Sequence, residues 1–298
     1  MFIAILINKN TKVIIQGITG RIGTQFASRM CKGNTKLVGG VTPGKGGENV
    51  VGIPVYNTVR ECVKYKTPDV SLIVTPPKTV FGAALEAVDE GINTLVIYTD
   101  NVPIHDTIKL INYASNYNVT VVGPGAAGIV TPEQCNVSEI LDSLIKPGKI
   151  GIVSKSGSLC NDVLHFLQTL GFGQSTICCL GGGLIVGLQI KEVIEHFSKD
   201  DETSMIILLG EVGGTDELDA LEVIKNCGKP IISYIAGFFA PPGVRMGHAG
   251  AILGEAEDSA KYKSDILNSA GVVTTSTILE LFSLLKDMLT SSCISKSI

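Results

Sequence analysis

The chain has 298 residues, of which 45% are apolar and 17% charged, and its mean hydropathy is +0.34. Its formal net charge is −4, with no stripe of basic residues. These values exclude a disordered chain and give no general attraction to nucleic acid or to anionic membranes, so neither is expected as a partner. The length suits two domains that each bury a core.

The eight cysteines show neither a Cys-x-x-Cys pair nor the Cys/His spacing of a zinc site, so no metal site is predicted. They are Cys31, Cys62, Cys135, Cys160, Cys178, Cys179, Cys227 and Cys293. Reduced thiols in a reducing compartment are expected. The first residues lack the positive charge of a signal peptide, and no apolar run has the length of a membrane span. A soluble intracellular protein is therefore expected.

The first half of the chain alternates short apolar runs with helical patterns. The runs span residues 13–15, 37–41, 72–74, 94–97 and 119–122. This alternation predicts a doubly wound α/β domain. We place this domain at residues 1–124 and a connecting segment at 125–148.

A glycine turn follows the first run. Gly17, Gly20 and Gly23 form a Gly-x-x-Gly-x-x-Gly pattern that leads into a helix. Backbone N–H groups at a helix N-terminus, together with the helix dipole, hold phosphate. The spacing is not the dinucleotide fingerprint, and the second strand does not end in the acidic residue that binds a ribose diol. A dehydrogenase is therefore disfavoured.

Three further loops follow strands at the same predicted sheet edge. Lys45 lies in a glycine-rich loop after the second strand, Thr75 and Pro76 follow the third, and residues 98–103 follow the fourth. Carboxyl ends of parallel strands share one edge, so these loops predict a groove for a phosphorylated, nucleotide-like ligand. A solvated side chain is the alternative for Lys45, which lacks P-loop spacing.

The alternation restarts in the second half and predicts a domain over residues 149–298. Strands are expected at 150–153, 176–180, 205–209 and from Ile231 onward. The first leads into a helix that ends at Gly171. Its inward face is expected to hold Leu159, Val163, Phe166, Leu167 and Leu170.

Small hydroxyl residues and a glycine precede that helix. The stretch is Ser154, Lys155, Ser156 and Gly157. Such residues at a helix N-terminus predict an anion site, with an ordinary N-cap as the alternative.

His248 lies in a long glycine- and proline-rich loop after the last of these strands, with no bulky neighbour to cover its ring. Glu211 ends another strand of the same predicted sheet, so the two can meet at its carboxyl edge. A carboxylate on one ring nitrogen fixes the tautomer and leaves the other nitrogen as a nucleophile. A locally bonded histidine and a solvated glutamate are the alternatives. The other histidines, His105, His165 and His196, are expected on solvent faces.

At these residues the chain resembles the α subunit of succinyl-CoA synthetase (succinate–CoA ligase) along essentially its whole length. The matching segments are NKNTKVIIQGITG, LVGGVTPGKGG, GIPVYNTV, KPGKIGIVSKSGS, GFGQST, GEVGG, KPIISYIAG and RMGHAGAI. The resemblance implies an α/β fold with an N-terminal Rossmann-like CoA-binding domain and a flavodoxin-like doubly wound ligase domain. It also implies a histidine that is transiently phosphorylated.

The resemblance implies roles for particular residues. His248 is the phosphorylated histidine and Glu211 the carboxylate that orients it. The residues that the resemblance assigns to coenzyme A are Thr19, Gly20, Arg21, Ile22, Lys45, Tyr98, Thr99 and Asp100, and the groove predicted above adds Thr75 and Pro76. Those assigned to phosphate are Ser154, Lys155, Ser156 and Gly157, and a second helix N-terminus is expected near residues 125–129.

Three segments depart from the family pattern. The usual Gly-Pro-Asn-Cys-Pro-Gly reads GPGAAG over residues 123–128, and Gly-Gly-Asp-Pro-Ile reads GGGLI over residues 181–185. Asn161 stands where many members have tyrosine. We assign Gly125, Ala126 and Asn161 to the substrate pocket, which then takes a different acid or takes succinate poorly.

The family assigns nucleotide chemistry to an ATP-grasp β subunit, so ATP or GTP with Mg²⁺ is expected mainly on that partner, in an αβ or α2β2 assembly. The expected reaction forms succinyl-CoA from succinate, coenzyme A and ATP or GTP. The alternatives are a non-catalytic or regulatory CoA-binding paralogue and a ligase for another dicarboxylate such as malate or citrate. The expected location is the cytoplasm, or the mitochondrial matrix for a eukaryotic chain with its presequence removed.

Overall fold

The computed structural model describes residues 5–290. Cys293 therefore lies outside the described residues. The chain divides into two compact units. The N-terminal unit comprises residues 6–142 and 185–188, and the C-terminal unit comprises residues 143–184 and 189–290 together with Ile5.

The N-terminal unit is built on a mostly parallel sheet. Its strands are β1 (Lys12–Gln16), β2 (Lys36–Val41), β3 (Asn49–Val50), β4 (Ile53–Tyr56), β5 (Val70–Ile73), β6 (Thr94–Ile97) and β7 (Thr120–Val122), followed by β8 (Gly128–Thr131) and β9 (Cys135–Ser138). Its helices are α1 (Arg21–Met30), α2 (Val59–Val63), α3 (Val80–Asp89) and α4 (Ile104–Asn116). The sheet order is β3-β4-β2-β1-β5-β6-β7, with only β3 antiparallel to its neighbour.

Burial explains why these runs form central strands. Every residue of β5 and β6 is buried, as expected where helices cover both faces of a parallel sheet. All five runs predicted in this half are strands. The segment at 125–148 contains an antiparallel hairpin of β8 and β9, which the sequence patterns did not predict.

The C-terminal unit carries a second parallel sheet. Its strands are β10 (Pro147–Ser154), β11 (Gln174–Cys179), β12 (Met205–Glu211), β13 (Ile231–Ala236) and β14 (Val273–Thr275). Its helices are α5 (Gly157–Leu170), α6 (Ile190–Lys199), α7 (Asp216–Asp219), α8 (Leu221–Asn226), α9 (Ala260–Ser269) and α10 (Ile278–Thr290). These strands run in the order β14-β13-β12-β10-β11, the flavodoxin order. The predicted fold class is confirmed.

Across residues 5–290 no helix combines the length and apolarity that crossing a bilayer would require.

Candidate active site

Each unit has a point where the strand order reverses, and ligands bind parallel sheets at such points. In the N-terminal unit the reversal lies between β1 and β5, with β2 on the far side of β1. In the C-terminal unit it lies between β10 and β12. The glycine turn follows β1, whereas Lys155 follows β10 and Glu211 ends β12.

A cavity of about 520 Å³ lies at the first reversal point. It is lined by Gly17, Thr19, Gly20, Arg21, Ile22, Gly23, Thr42, Val74, Thr75, Pro76, Tyr98 and Thr99. Eight of the ten residues assigned to coenzyme A thus line this cavity. Helix α1 begins there without a side-chain cap at Gly20.

One residue that lines the cavity, Thr75, has a buried polar atom without a protein partner. Thr75 Oγ1 makes no hydrogen bond, whereas Thr99 Oγ1 donates to the Thr75 carbonyl at 2.7 Å. A buried hydroxyl costs free energy unless a partner reaches it, so this atom suits a polar ligand. Tyr98 donates to Glu139 Oε2 at 3.2 Å, and burial raises the pKa of its phenol.

The glycine turn needs glycine for steric reasons. Gly17 has φ +91°. A Cβ on Gly23 would lie 2.2 Å from the Gly17 carbonyl oxygen, a contact between backbone atoms that cannot move apart easily.

We therefore expect Gly23→Ala to lower the free energy of unfolding by about 1–3 kcal/mol, because overpacking forces the turn to shift. It should also weaken the affinity for coenzyme A that the resemblance implies. Urea denaturation and calorimetric titration measure the two effects. Gly82→Ala is the control: Gly82 lies within α3 with open space around its Cβ position, and alanine there should stabilise by about 0.5–1 kcal/mol. Equal stability in the two variants would contradict the prediction.

Two of the assigned coenzyme A residues do not line this cavity. The Lys45 ammonium pairs with Glu48 at 2.9 Å on the surface. Asp100 Oδ1 accepts the N–H of Asn101 at 2.7 Å. A Cβ on Gly125 would lie 3.1 Å from that same Asp100 oxygen. For these two residues a ligand contact stays a prediction.

The expected second helix N-terminus near residues 125–129 is wrong. Strand β8 begins there, at Gly128, which has φ +107° and pairs with Ser138. The hairpin uses the backbone groups that a helix start would have left open. Gly125 is half-buried, and Ala126 is buried with its N–H bonded to the Ile97 carbonyl.

His248 lies at the tip of a short hairpin in the loop after β13. Arg245 and Ile252 form its bridge, and Arg245 Nε donates to the His248 carbonyl at 3.1 Å. The N–H of Gly250 donates to the Gly182 carbonyl at 3.0 Å, which ties the hairpin to the glycine loop after β11. The first bond stabilises the hairpin itself, and the second anchors it on the carboxyl side of the histidine.

The structure brings His248 and Glu211 together. His248 Nδ1 lies 2.5 Å from Glu211 Oε2, and the carboxylate side chain is 7% exposed against 38% for the imidazole. An ionised carboxylate only accepts, so Nδ1 carries the proton when the ring is neutral. That tautomer makes Nε2 the nucleophilic nitrogen.

Gly182 leaves room for the imidazole. A Cβ on Gly182 would lie 2.0 Å from His248 Nδ1. We expect Gly182→Ala to displace the ring from Glu211 and to lower the rate of any reaction at Nε2 by about 100-fold, since misplacements near 1 Å have such effects. The rate of histidine phosphorylation measures this. Gly82→Ala is again the control, and an unchanged rate in Gly182→Ala would contradict the prediction.

Two lysines, Lys155 and Lys263, and two further carboxylates, Asp216 and Glu217, surround the pair. Lys155 Nζ lies 3.5 Å from Glu211 Oε1 and 2.8 Å from Asp216 Oδ2. Burial alone would lower the pKa of Lys155, but Glu217, Asp216 and Glu211 together raise it. Lys155 is thus a buried cation bound to carboxylates, and the phosphate contact assigned to its side chain stays a prediction.

The hydroxyls after β10 shape the start of α5. Ser156 is its N-cap and accepts the N–H of Leu159 at 3.3 Å, while Ser154 Oγ donates to the Ser156 carbonyl at 2.7 Å. The predicted N-cap alternative is therefore present, and Gly157 is the first helical residue. Asn161, one turn further, is half-buried with its Oδ1 unpartnered.

Sequence reasoning missed Asp216, Glu217 and Lys263. Lys263 Nζ, without exposed surface, donates to Glu217 Oε2 at 2.6 Å and to the Glu211 carbonyl at 2.9 Å. The acidic run after Gly214 was the available signal. Among the described residues no group of three His, Cys, Asp or Glu side chains is arranged to hold a metal ion.

Family models and curated relatives match most of the chain. Residues 8–101 match the family model described as CoA binding domain, and residues 153–273 match the one described as CoA-ligase. The succinate–CoA ligase [ADP-forming] subunit alpha of Aquifex aeolicus is 47% identical over 272 residues, 90% of this chain and 89% of that one. Subunit alpha 2 of Archaeoglobus fulgidus is 41% identical over 286 residues, 96% of this chain and 100% of that one.

Solved structures share the fold at lower identity. ATP citrate lyase from Methanothrix soehngenii, in complex with citrate and coenzyme A, superposes with a TM-score of 0.87 at 23% identity over 99% of this chain. A dinucleotide-forming acetyl-coenzyme A synthetase from Ca. Korarchaeum cryptofilum gives 0.74 at 19% identity over 91%. This chain spans 52% and 59% of those two chains.

Proposed function

The chain belongs to the family of succinate–CoA ligase α subunits, and on that premise we propose that it joins succinate to the thiol of coenzyme A through a phosphorylated His248. The contact between His248 and Glu211 carries this proposal. The relatives' ADP-forming names favour ATP as the nucleotide, although the partner selects it.

The reaction proceeds in three transfers. His248 Nε2 attacks the γ-phosphorus of the nucleoside triphosphate, and the diphosphate leaves. A carboxylate oxygen of succinate then takes the phosphoryl group from the histidine and becomes an acyl phosphate. Finally the thiol sulfur of coenzyme A attacks the acyl carbon, loses its proton and releases inorganic phosphate. Dividing the ligation in this way replaces one difficult step by easier ones.

The charges around His248 suit such an intermediate. Phosphorylation at Nε2, with the proton kept at Nδ1, makes the imidazole ring cationic. Two ammonium groups and three carboxylates in the cluster sum to −1 when all are ionised. A buried negative excess stabilises a cationic ring, and Glu211 holds its proton in place.

The N-termini of two helices would bind the anionic groups of the reaction, which are the phosphates of coenzyme A and the transferred phosphoryl group. The N-terminus of α1 and the loops around it would hold the phosphates of coenzyme A in the cavity of the N-terminal unit, where Thr75 Oγ1 offers a polar contact. The 14-residue helix α5 begins at Gly157, and its backbone N–H groups with Ser154 and Ser156 would hold the transferred phosphoryl group.

The partner completes the enzyme. Family membership implies a β subunit, and we propose that it is an ATP-grasp chain that binds the nucleotide and Mg²⁺ in an αβ or α2β2 assembly. The predicted location, cytoplasm or mitochondrial matrix, stays a prediction.

A second candidate is a CoA-binding regulatory subunit without turnover. It is favoured by the apolar character of one assigned pocket segment, where Gly125 and the buried Ala126 supply no polar side chain. The acid itself is open for the same reason, with malate and citrate as other candidates.

An acid panel separates these candidates. The co-purified complex should release inorganic phosphate from ATP in the presence of coenzyme A and succinate, and less with malate or citrate. Preference for another acid would keep the mechanism and change the substrate. Tight binding of coenzyme A without release on any acid would support the regulatory subunit instead.

A further inference from the structure

Lys263 and Glu217 form an ion pair that the proposed reaction does not use. Neither side chain has exposed surface, and Lys263 Nζ lies 2.6 Å from Glu217 Oε2. Replacing a buried ion pair by apolar residues is often neutral or stabilising, so fold stability alone is a weak reason for such a pair. The hydrogen bonds that the pair makes to its surroundings indicate another role.

The pair holds the backbone of Glu211 from both sides. Glu217 Oε1 accepts the N–H of Glu211 at 3.0 Å, and Lys263 donates to the Glu211 carbonyl at 2.9 Å. The remaining Lys263 bond goes to the Gly213 carbonyl at 2.8 Å. Since an ammonium group has three donors, all of them are used. The Glu211 carboxylate has Lys155 on one oxygen and His248 on the other.

The same ammonium group supports the histidine loop. Gly213 has φ +84°, and a Cβ there would lie 2.3 Å from the Gly250 carbonyl oxygen. Gly250 in turn donates to Gly182, which lies against the His248 ring. Lys263 therefore holds the backbone of Glu211, which carries the carboxylate, and that of Gly213, which packs against the histidine loop.

We propose that Lys263 and Glu217 are positioning residues that hold Glu211 and the His248 loop in the geometry needed for phosphoryl transfer. The inference rests on the proposed function, because it requires that His248 carry the phosphoryl group. The pair acts through Glu211 and Gly213. Loss of the pair should misalign the imidazole and the carboxylate without changing the residues that bind substrates.

The test uses the complex with its β subunit and the double variant Lys263→Met with Glu217→Gln, which removes both charges and keeps the side-chain volumes close. We expect kcat and the single-turnover rate of His248 phosphorylation to fall about 10- to 100-fold, as for a small misplacement of a catalytic group. The KM values for coenzyme A and succinate should stay within about twofold, because binding groups are untouched.

Lys229→Met is the matched control. Lys229 also donates to two carbonyls, those of Phe197 and Asp200, but it precedes β13 and so lies at the opposite edge of the sheet. This variant should keep kcat even if it loses stability. A folded double variant with kcat within about threefold of wild type would overturn the inference, since positioning effects are larger.

A milder variant keeps the inference testable if the double variant does not assemble with the β subunit. Glu217→Gln alone keeps the shape and an oxygen acceptor, and it should lower kcat with unchanged KM values; an unchanged kcat would overturn the inference. Lys263→Arg, which keeps the charge, should retain more activity than the double variant.

If wild type does not phosphorylate His248, the proposed function fails and the inference with it. If wild type and the double variant label at equal rates, the inference alone fails.

Discussion

Replacement of His248 by asparagine is expected to abolish phosphorylation of this chain and to lower ligation by on the order of 10⁴-fold or more, because the nucleophile itself is lost. The amide nitrogen of asparagine can still donate a hydrogen bond to Glu211, so the buried carboxylate keeps a partner. Intact-mass measurement of the complex after incubation with ATP and Mg²⁺ detects the phosphoryl group directly.

The exposed histidines provide the control. His165 and His196 lie on the solvent faces of α5 and α6, and their asparagine variants should label as wild type does. A phosphoryl group that persists in His248→Asn, or that disappears in His196→Asn, would contradict the assignment.

Replacement of Glu211 by glutamine is expected to lower the rate of His248 phosphorylation by about 10²–10⁴-fold, as happens when a catalytic histidine loses the carboxylate that fixes its tautomer. Glutamine can donate toward Nδ1 and so favours the proton on Nε2, the nitrogen that must attack. It also removes the negative charge that stabilises the phosphorylated ring. Quench-flow labelling with radioactive ATP measures the rate.

Glu195→Gln is the control for this change. Glu195 is exposed on α6 and pairs with Lys199 at 2.6 Å, so its loss should not affect the rate. A Glu211→Gln complex that labels within about threefold of wild type would contradict the tautomer argument, which requires a far larger loss.

The sequence predicted the parallel strands well because they are buried on both faces and read as continuous apolar runs. It missed β3, β4 and β14, which are short and partly exposed, and the β8–β9 hairpin. The two strands of this hairpin are only four residues long and buried throughout, so they show no alternation of apolar and polar residues. Whether such short strands form depends on how they pair in the folded chain, and local sequence patterns carry no information about that pairing.

Helix α5 shows how burial depends on the neighbours. The expected face included Leu159 and Phe166, which are half-buried, whereas Cys160 and Leu164 are fully buried instead. When a helix has many apolar residues, its periodicity is compatible with burial of either of these adjoining faces. Gly171 ends the helix as predicted, in the left-handed conformation with φ +78°.

The approach of His248 to Glu211 could be predicted because both follow strands at one sheet edge. The burial of Lys155 could not, since it depends on Asp216 and Glu211 lying beside it in the folded chain. The burial of Lys263 was even less predictable, because its sequence context is that of an ordinary lysine in a helix. The charges of Lys155 and Lys263 become informative only when their partners in the folded chain are known.

A discharge experiment on the phosphorylated complex tests the phosphohistidine mechanism most directly. The complex is labelled with radioactive ATP, freed of nucleotide and then mixed with coenzyme A and succinate. We expect the label to leave His248 as inorganic phosphate while succinyl-CoA forms in equal amount, and neither substrate alone to give thioester. A label that remains on the histidine with both substrates present, or that is lost without thioester formation, would show that the phosphohistidine mechanism is wrong.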